Sequence, residues 1–309
     1  MYEAFSTSCI GSSHLKHDKD IEDRTAHYTN AKMSLAVVAD GHGADECFRS
    51  AKGAEIAVKC AIKAMHDFIT ELEPLFTVRF FHKSEPPSQE EFDKLLANLV
   101  KHIIAQWHDQ MEQHYKTEPF TAEDLEKTGG KYREKFEAGT DYYKAYGTTL
   151  IAAAVTQKYW FGLHIGDGRL TALYKDGTFD QPVPWDDNCF LNRTSSICDD
   201  DAAESARFYV SLHKEKEPLA ALFLCSDGVD DNYPVEKNEE HLYKLYRTIA
   251  LTFAEDGFYS TCKQLKDLTQ NFATKGKGDD TSIAGIIDMD AVKAAAPVWR
   301  KQAADEEEA

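Results

Sequence analysis

Apolar positions along the chain fall into two patterns: short near-continuous runs, and longer stripes at spacings of three and four. Ser34 to Ala39, Leu150 to Val155, Tyr159 to Ile165, Leu170 to Tyr174, Leu219 to Cys225 and Thr281 to Ile287 are runs of the first kind. Their length and lack of polar alternation predict strands covered on both faces. Stripes of the second kind predict helices: Ala54, Ala57, Val58, Ala61, Ile62, Met65, then Phe92, Leu95, Leu96, Leu99, Ile103, Trp107, Met111. Leu242, Leu245, Tyr246, Ile249 and Phe253 form another, and Phe258, Cys262, Leu265, Leu268 and Phe272 a fourth. The second stripe follows Pro86-Pro87 and opens on Ser88 with Glu91 three residues on, the pattern of a reciprocal helix cap. Lys175-Asp176-Gly177 between two runs reads as a hairpin turn.

Elsewhere the pattern weakens. The polar segment from Gly11 to Asp23 predicts no element, and residues 66–146 read as an inserted helical region. Within it, residues 117–140 contain Gly129-Gly130 and suggest a weak helix or a mobile excursion. Residues 186–201 lack periodicity and read as a surface loop, with Asp199-Asp200-Asp201 a solvated turn or helix cap. The expected organisation is one domain over residues 1–290 and an acidic C-terminal tail over 291–309, frayed at Asp305-Glu306-Glu307-Glu308.

One event recurs: an apolar run ends in a carboxylate beside glycine. It happens at Asp40-Gly41, Asp167-Gly168 and Asp227-Gly228, and in reverse at Gly278-Asp279, where the carboxylate precedes the run. Any single case is what a turn requires, because Asp and Gly suit tight chain reversals. Four cases at the mouths of buried strands allow a second reading, in which the carboxylates meet on one sheet edge. Clustered carboxylates repel unless protonated or neutralised, and a divalent cation neutralises them. An all-oxygen ligand set favours hard ions such as Mg²⁺ or Mn²⁺.

Charge narrows the partners. The 309 residues carry a formal net charge of −18, which disfavours nucleic acid and anionic membrane surfaces. No run approaches the ~18 apolar residues of a membrane span. Met1 to Ser6 lack the basic-then-apolar order of a secretory signal. Seven scattered cysteines without a CxxC pair suit reduced thiols, so the expected setting is cytoplasmic. His102, His108 and His114 are six apart, a spacing that turns a helix by about 240° and does not gather metal ligands.

In order, Ile21-Glu22-Asp23, Val38-Ala39-Asp40-Gly41-His42-Gly43, Gly53-Ala54, Gly147-Thr148-Thr149-Leu150, Gly166-Asp167-Gly168-Arg169, Cys225-Ser226-Asp227-Gly228-Val229 and Gly278-Asp279-Asp280-Thr281-Ser282 resemble the successive motifs of the metal-dependent (PPM, type 2C) protein serine/threonine phosphatases. Gly11, Ser13-His14 and Phe190-Leu191-Asn192-Arg193-Thr194 resemble a bacterial-type subgroup. The resemblance implies an α+β fold, a four-layer α-β-β-α sandwich of two mostly antiparallel sheets. It implies that Asp40 bridges two Mg²⁺ or Mn²⁺ ions and that the Gly41 carbonyl binds one of them. Asp227 and Asp279 would bind the other. Glu22 and Asp23 would hold metal-bound waters, and Asp167 with Asp227 a weaker third site. Where the family has a phosphate-binding arginine, this chain has Asp18, with Lys16, Lys19 and Arg24 nearby.

The chemistry so implied is hydrolysis of a phosphomonoester by water activated between two cations. His42 would give a proton to the leaving alkoxide, since histidine titrates near neutral pH; the plainer alternative is an exposed turn residue. A phosphorylated protein is the expected substrate. Two other functions fit the same fold: a catalytically silent signalling or scaffold protein, and a phosphatase for a small metabolite. Retention of Asp40, Asp227, Asp279 and His42 together favours an enzyme.

Overall fold

A computed structural model of the chain describes residues 1–81, 88–189, 193–212 and 218–307. Pro86-Pro87, Phe190-Leu191-Asn192 and Glu308-Ala309 from the sequence reading lie outside them. The elements run β1 (Tyr2–Cys9), α1 (Ser12–Lys16), β2 (Arg24–Thr29), β3 (Met33–Ala39), α2 (Ser50–Phe81), α3 (Gln89–Thr117), α4 (Ala122–Lys127) and α5 (Gly130–Glu137). They continue with β4 (Leu150–Thr156), β5 (Tyr159–Ile165), β6 (Arg169–Tyr174), β7 (Phe179–Asp180), α6 (Ala202–Ser205), β8 (Arg207–Leu212) and β9 (Leu219–Cys225). The last are α7 (Asp227–Asp230), α8 (Asn238–Asp256), α9 (Phe258–Lys275), β10 (Thr281–Asp288) and α10 (Met289–Glu307).

Two five-stranded sheets form, in orders β1-β10-β9-β6-β7 and β2-β3-β4-β5-β8. Each described ladder is antiparallel. The apolar runs have two faces to fill, and the structure uses both. On β3, Leu35, Val37 and Ala39 pack outward against α2 and α3, while Ala36 and Val38 pack inward among Ile151, Ala153, Leu222, Leu224, Ala284 and Ile286. On the other sheet, Phe223 and Ile283 pack outward against Tyr246, Phe253 and Leu265. The result is helix, sheet, sheet, helix, as the resemblance implied.

Several local expectations change. The polar segment from Gly11 to Asp23 carries the short helix α1, and it is flanked by β1 and β2, which are only partly buried, so neither shows a continuous apolar run. Residues 66–146 begin inside α2, which runs unbroken from Ser50 to Phe81, and Phe92, Leu96, Leu99, Ile103, Trp107 and Met111 of α3 share one core with β3, β4 and β5. The Ser88–Glu91 reciprocal cap is present. Residues 122–137 form two short helices, the first with its own Thr121–Asp124 cap. The 186–201 segment is no surface loop throughout, since Ser196, Ile197 and Cys198 are buried. Asp199 accepts from the Ser196 N–H at 2.9 Å, a turn as expected. Residues 291–304 form no tail; α10 buries Val292 and Trp299 on the outer face of the β1-β10-β9-β6-β7 sheet. Its acidic and basic residues mask a stripe too sparse to stand out in the sequence.

One contact fixes how closely the motifs approach. A Cβ at Gly228 would lie 1.8 Å from the Asp280 carbonyl oxygen, a backbone atom that cannot yield. Gly228→Ala should therefore destabilise the fold by about 2–4 kcal/mol. Urea unfolding checks this; an unchanged midpoint would show that α7 and the start of β10 can separate freely.

Candidate metal centre

The carboxylates meet where four strands end. Leu224 and Cys225 of β9 pair with both β6 and β10, so the turns after β5 and β9 and before β10 lie side by side. The end of β3 comes to them from the other sheet. A cavity of about 310 Å³ opens there, lined by Glu22, Asp40, Asp167, Asp227, Asp279 and Asp280, with His14, Lys19, Gly41, His42 and Thr194. All four carboxylates of the recurring pattern are in it. Asp23 lies just behind, buried, and accepts from Ser226 Oγ at 2.8 Å.

The threonine segment explains how Asp40 is held. Asp40 N–H donates to Thr149 Oγ1 at 3.0 Å, and its carbonyl accepts from Thr149 N–H at 2.8 Å and Thr148 Oγ1 at 2.9 Å. His42 N–H donates to the Gly147 carbonyl at 3.1 Å. Gly147 has no side chain because a Cβ there would stand 2.8 Å from the His42 ring. Thus Gly147-Thr148-Thr149 works as a bracket for the Asp40-Gly41-His42 turn. Asp167 accepts from Thr194 Oγ1, and Glu22 Oε1 from Ser50 Oγ at 3.0 Å.

The electrostatics are those of crowded negative charge. Burial pushes the Asp40 carboxyl well above the usual range, and the charges of Asp23 and Asp227 push it further. Asp227 is raised by burial and then by Asp167. Asp23 is raised by burial and then by Asp280. Asp40 and Asp227 each raise the cost of the other's charge. Glu22 Oε2, Asp23 Oδ1 and His42 Nε2 are buried without a hydrogen-bond partner. Such a donor set fits divalent cations, which would offset the crowded charge and use the orphaned oxygens. Among the described residues no three Asp, Glu, His or Cys side chains already stand as a closed ligand set, so holding a cation requires some of these side chains to change rotamer.

Asp280 and His14 escaped the sequence reading as site residues. Asp280 accepts from the N–H groups of Gly11 at 2.7 Å, Glu22 at 2.5 Å and Asp23 at 3.3 Å. His14 Nδ1 approaches it to 3.0 Å, at an angle too bent for a full hydrogen bond. Burial pushes the Asp280 carboxyl up, but His14 and the Gly11 and Glu22 N–H groups outweigh it and hold the group low. Asp280 is thereby the one acid of the cavity fully supplied with donors, and it ties the early Glu22-Asp23 pair to the last motif. The signal was its place beside Asp279 at a strand mouth. His42 is half-buried and lines the cavity, not an exposed turn; burial lowers its pKa against the pull of Asp167, Asp199 and Glu46.

Comparisons with known proteins bear on the fold and the family. No curated protein matches the sequence. Solved structures do match in fold: PppA of Pseudomonas aeruginosa at TM-score 0.54 and 17% identity, over 93% of this chain and 97% of that one. A bacterial serine phosphatase matches at 0.53 and 16%, over 93% and 98%. A serine/threonine phosphatase from Staphylococcus aureus matches at 0.52 and 17%, over 93% and 95%. The sequence model of the family described as Protein phosphatase 2C matches residues 10–269, and on that match, with the motifs gathered at one cavity, the chain belongs to the protein phosphatase 2C family.

Proposed function

We propose that this chain is an active, divalent-cation-dependent phosphatase that hydrolyses phosphoserine and phosphothreonine in proteins. The observation that carries the reading is the convergence of Asp40, Asp167, Asp227 and Asp279, from four distant segments, on one cavity. Asp40, the Gly41 carbonyl, Asp227 and Asp279 would hold two Mg²⁺ or Mn²⁺ ions. Glu22 and Asp23 would hold their waters, and Asp167 with Asp227 a third ion. When bound, such ions lower the pKa of water and offset charge on the phosphoryl oxygens.

The chain's own groups do the rest. The Thr148-Thr149 bracket fixes Asp40 before any ligand arrives, so little reorganisation is left for the reaction. His42 gives a proton from its ring to the leaving serine or threonine oxygen. Burial lowers its pKa, so less of the ring holds that proton near neutral pH, and this step should weaken as pH rises. Attack by water needs no nucleophilic side chain. The seven cysteines carry free thiols, which suits a reducing cytoplasm, and no helix among the described residues is long and apolar enough to cross a membrane.

The expected result is hydrolysis of p-nitrophenyl phosphate and of a phosphothreonine peptide with Mn²⁺, suppressed by EDTA. A protein inert with every divalent metal tried would favour the silent scaffold. Hydrolysis of phosphorylated metabolites in strong preference to phosphopeptides would favour a small-molecule enzyme.

A further inference from the structure

We infer that Lys19 is the side chain that grips the substrate's phosphoryl oxygens; this rests on the phosphatase reading above and names a residue within it. The cavity is lined by six carboxylates, whereas a phosphomonoester arrives as an anion. Cations held by the carboxylates offset part of that repulsion, and oxygens facing away from them still need a positive donor. Among the described lining residues, Lys19 is the one lysine or arginine.

Its placement follows from the chain path. Lys19 N–H donates to the His14 carbonyl at 3.0 Å, closing the turn after α1. The preceding residue, Asp18, has φ of 53°, a left-handed conformation that reverses the backbone. The reversal brings Lys19 back over the cavity, where its Nζ donates to the Gly43 carbonyl at 3.3 Å, next to His42. An ammonium has three donors; this long hydrogen bond uses one, and the Glu22 carboxylate attracts the charge without a hydrogen bond to it, so donors are left for a ligand.

Nearby cations are placed differently. The Arg24 guanidinium is folded back onto its own segment, donating to the carbonyls of Ile21 and Asp23. Lys16 and Arg193 do not line the cavity. His14 does, but its ring faces Asp280 at 3.0 Å and Glu22 at 3.6 Å. Lysine is a compact charge suited to phosphate without demanding bidentate geometry.

The test is calorimetric titration of tungstate, an inert phosphate analogue, into the Mn²⁺-loaded protein. Lys19→Gln should weaken tungstate by about tenfold or more and leave Mn²⁺ affinity no weaker than in the wild type. Lys19→Arg should recover most of the loss, and Lys16→Gln and Arg193→Gln should bind as wild type. With p-nitrophenyl phosphate, Lys19→Gln should raise KM more than it lowers kcat. The inference is overturned if Lys19→Gln binds tungstate as the wild type does, if its loss merely tracks a loss of Mn²⁺, or if the wild type takes up no tungstate. The titration reads binding, so a wild type that binds tungstate yet hydrolyses nothing would sink the phosphatase reading and leave Lys19 standing.

Discussion

Asp227→Asn should lower Mn²⁺-dependent hydrolysis by about a thousandfold or more and should also make the metal-free protein more stable at alkaline pH. Both effects have one cause. Asp227 is half-buried, and its carboxyl is raised by desolvation and by the charges of Asp167, Asp279 and Asp23. A carboxyl raised in the folded state binds more protons there than in the unfolded chain. Its contribution is therefore fully present below the unfolded value of 3.8 and is lost as pH rises through the folded value. In EDTA at pH 8 the wild type should unfold at lower temperature than Asp227→Asn, by roughly 1–2 kcal/mol. The gap should close on acidification and reverse with saturating Mn²⁺, which binds only the folded wild type well. Thermal unfolding at several pH values, with and without metal, reads the pattern. A variant less stable than wild type in EDTA at every pH would mean that Asp227 serves packing, not ion capture.

The same repulsion explains why the centre was readable from sequence. Carboxylates crowded at the mouths of apolar strands repel one another, and four of them beside glycines ask for a common explanation. Asp40, Asp167, Asp227 and Asp279 could be picked out because each sits where a continuous apolar strand stops. Asp280, Lys19 and His14 could not, since their surroundings come from chain reversals near Gly11 and Asp18 that leave no periodic mark. The bracket of Thr148 and Thr149 was visible only as a motif; its hydrogen bonds to Asp40 span more than a hundred residues.

The fold was legible in proportion to burial on two sides. Strands β3, β4, β5, β9 and β10 are buried along almost their whole length, and all were expected. The partly buried β1 and β2 were not, and neither was β8, where Arg207, Phe208 and Tyr209 are only partly buried. For α3 the helix itself was evident from its stripe, but its partner was not. An amphipathic stripe says that a face is covered and does not say by what, so an integral layer resembled an insertion.

Trp107→Ala distinguishes those two meanings. Trp107 is fully buried on α3 among residues that also cover β3, β4 and β5. Its indole N–H donates to the Gly53 carbonyl of α2 at 3.0 Å. Removing it should cost about 3–5 kcal/mol, a large share of the ~5–15 kcal/mol that holds a domain folded. Trp107→Phe, which keeps most of the apolar area and loses the hydrogen bond, should cost about 1–2 kcal/mol. The form of the unfolding curve matters more than its midpoint. An appended helical body would melt alone, giving an early loss of helical signal while the sheets persist. A layer that shares its core with a sheet should bring the whole domain down in one transition, with helical circular dichroism and tryptophan fluorescence moving together. Because Ser50, the first residue of α2, donates to Glu22 at the cavity, loosening this layer should also weaken Mn²⁺ binding below the transition.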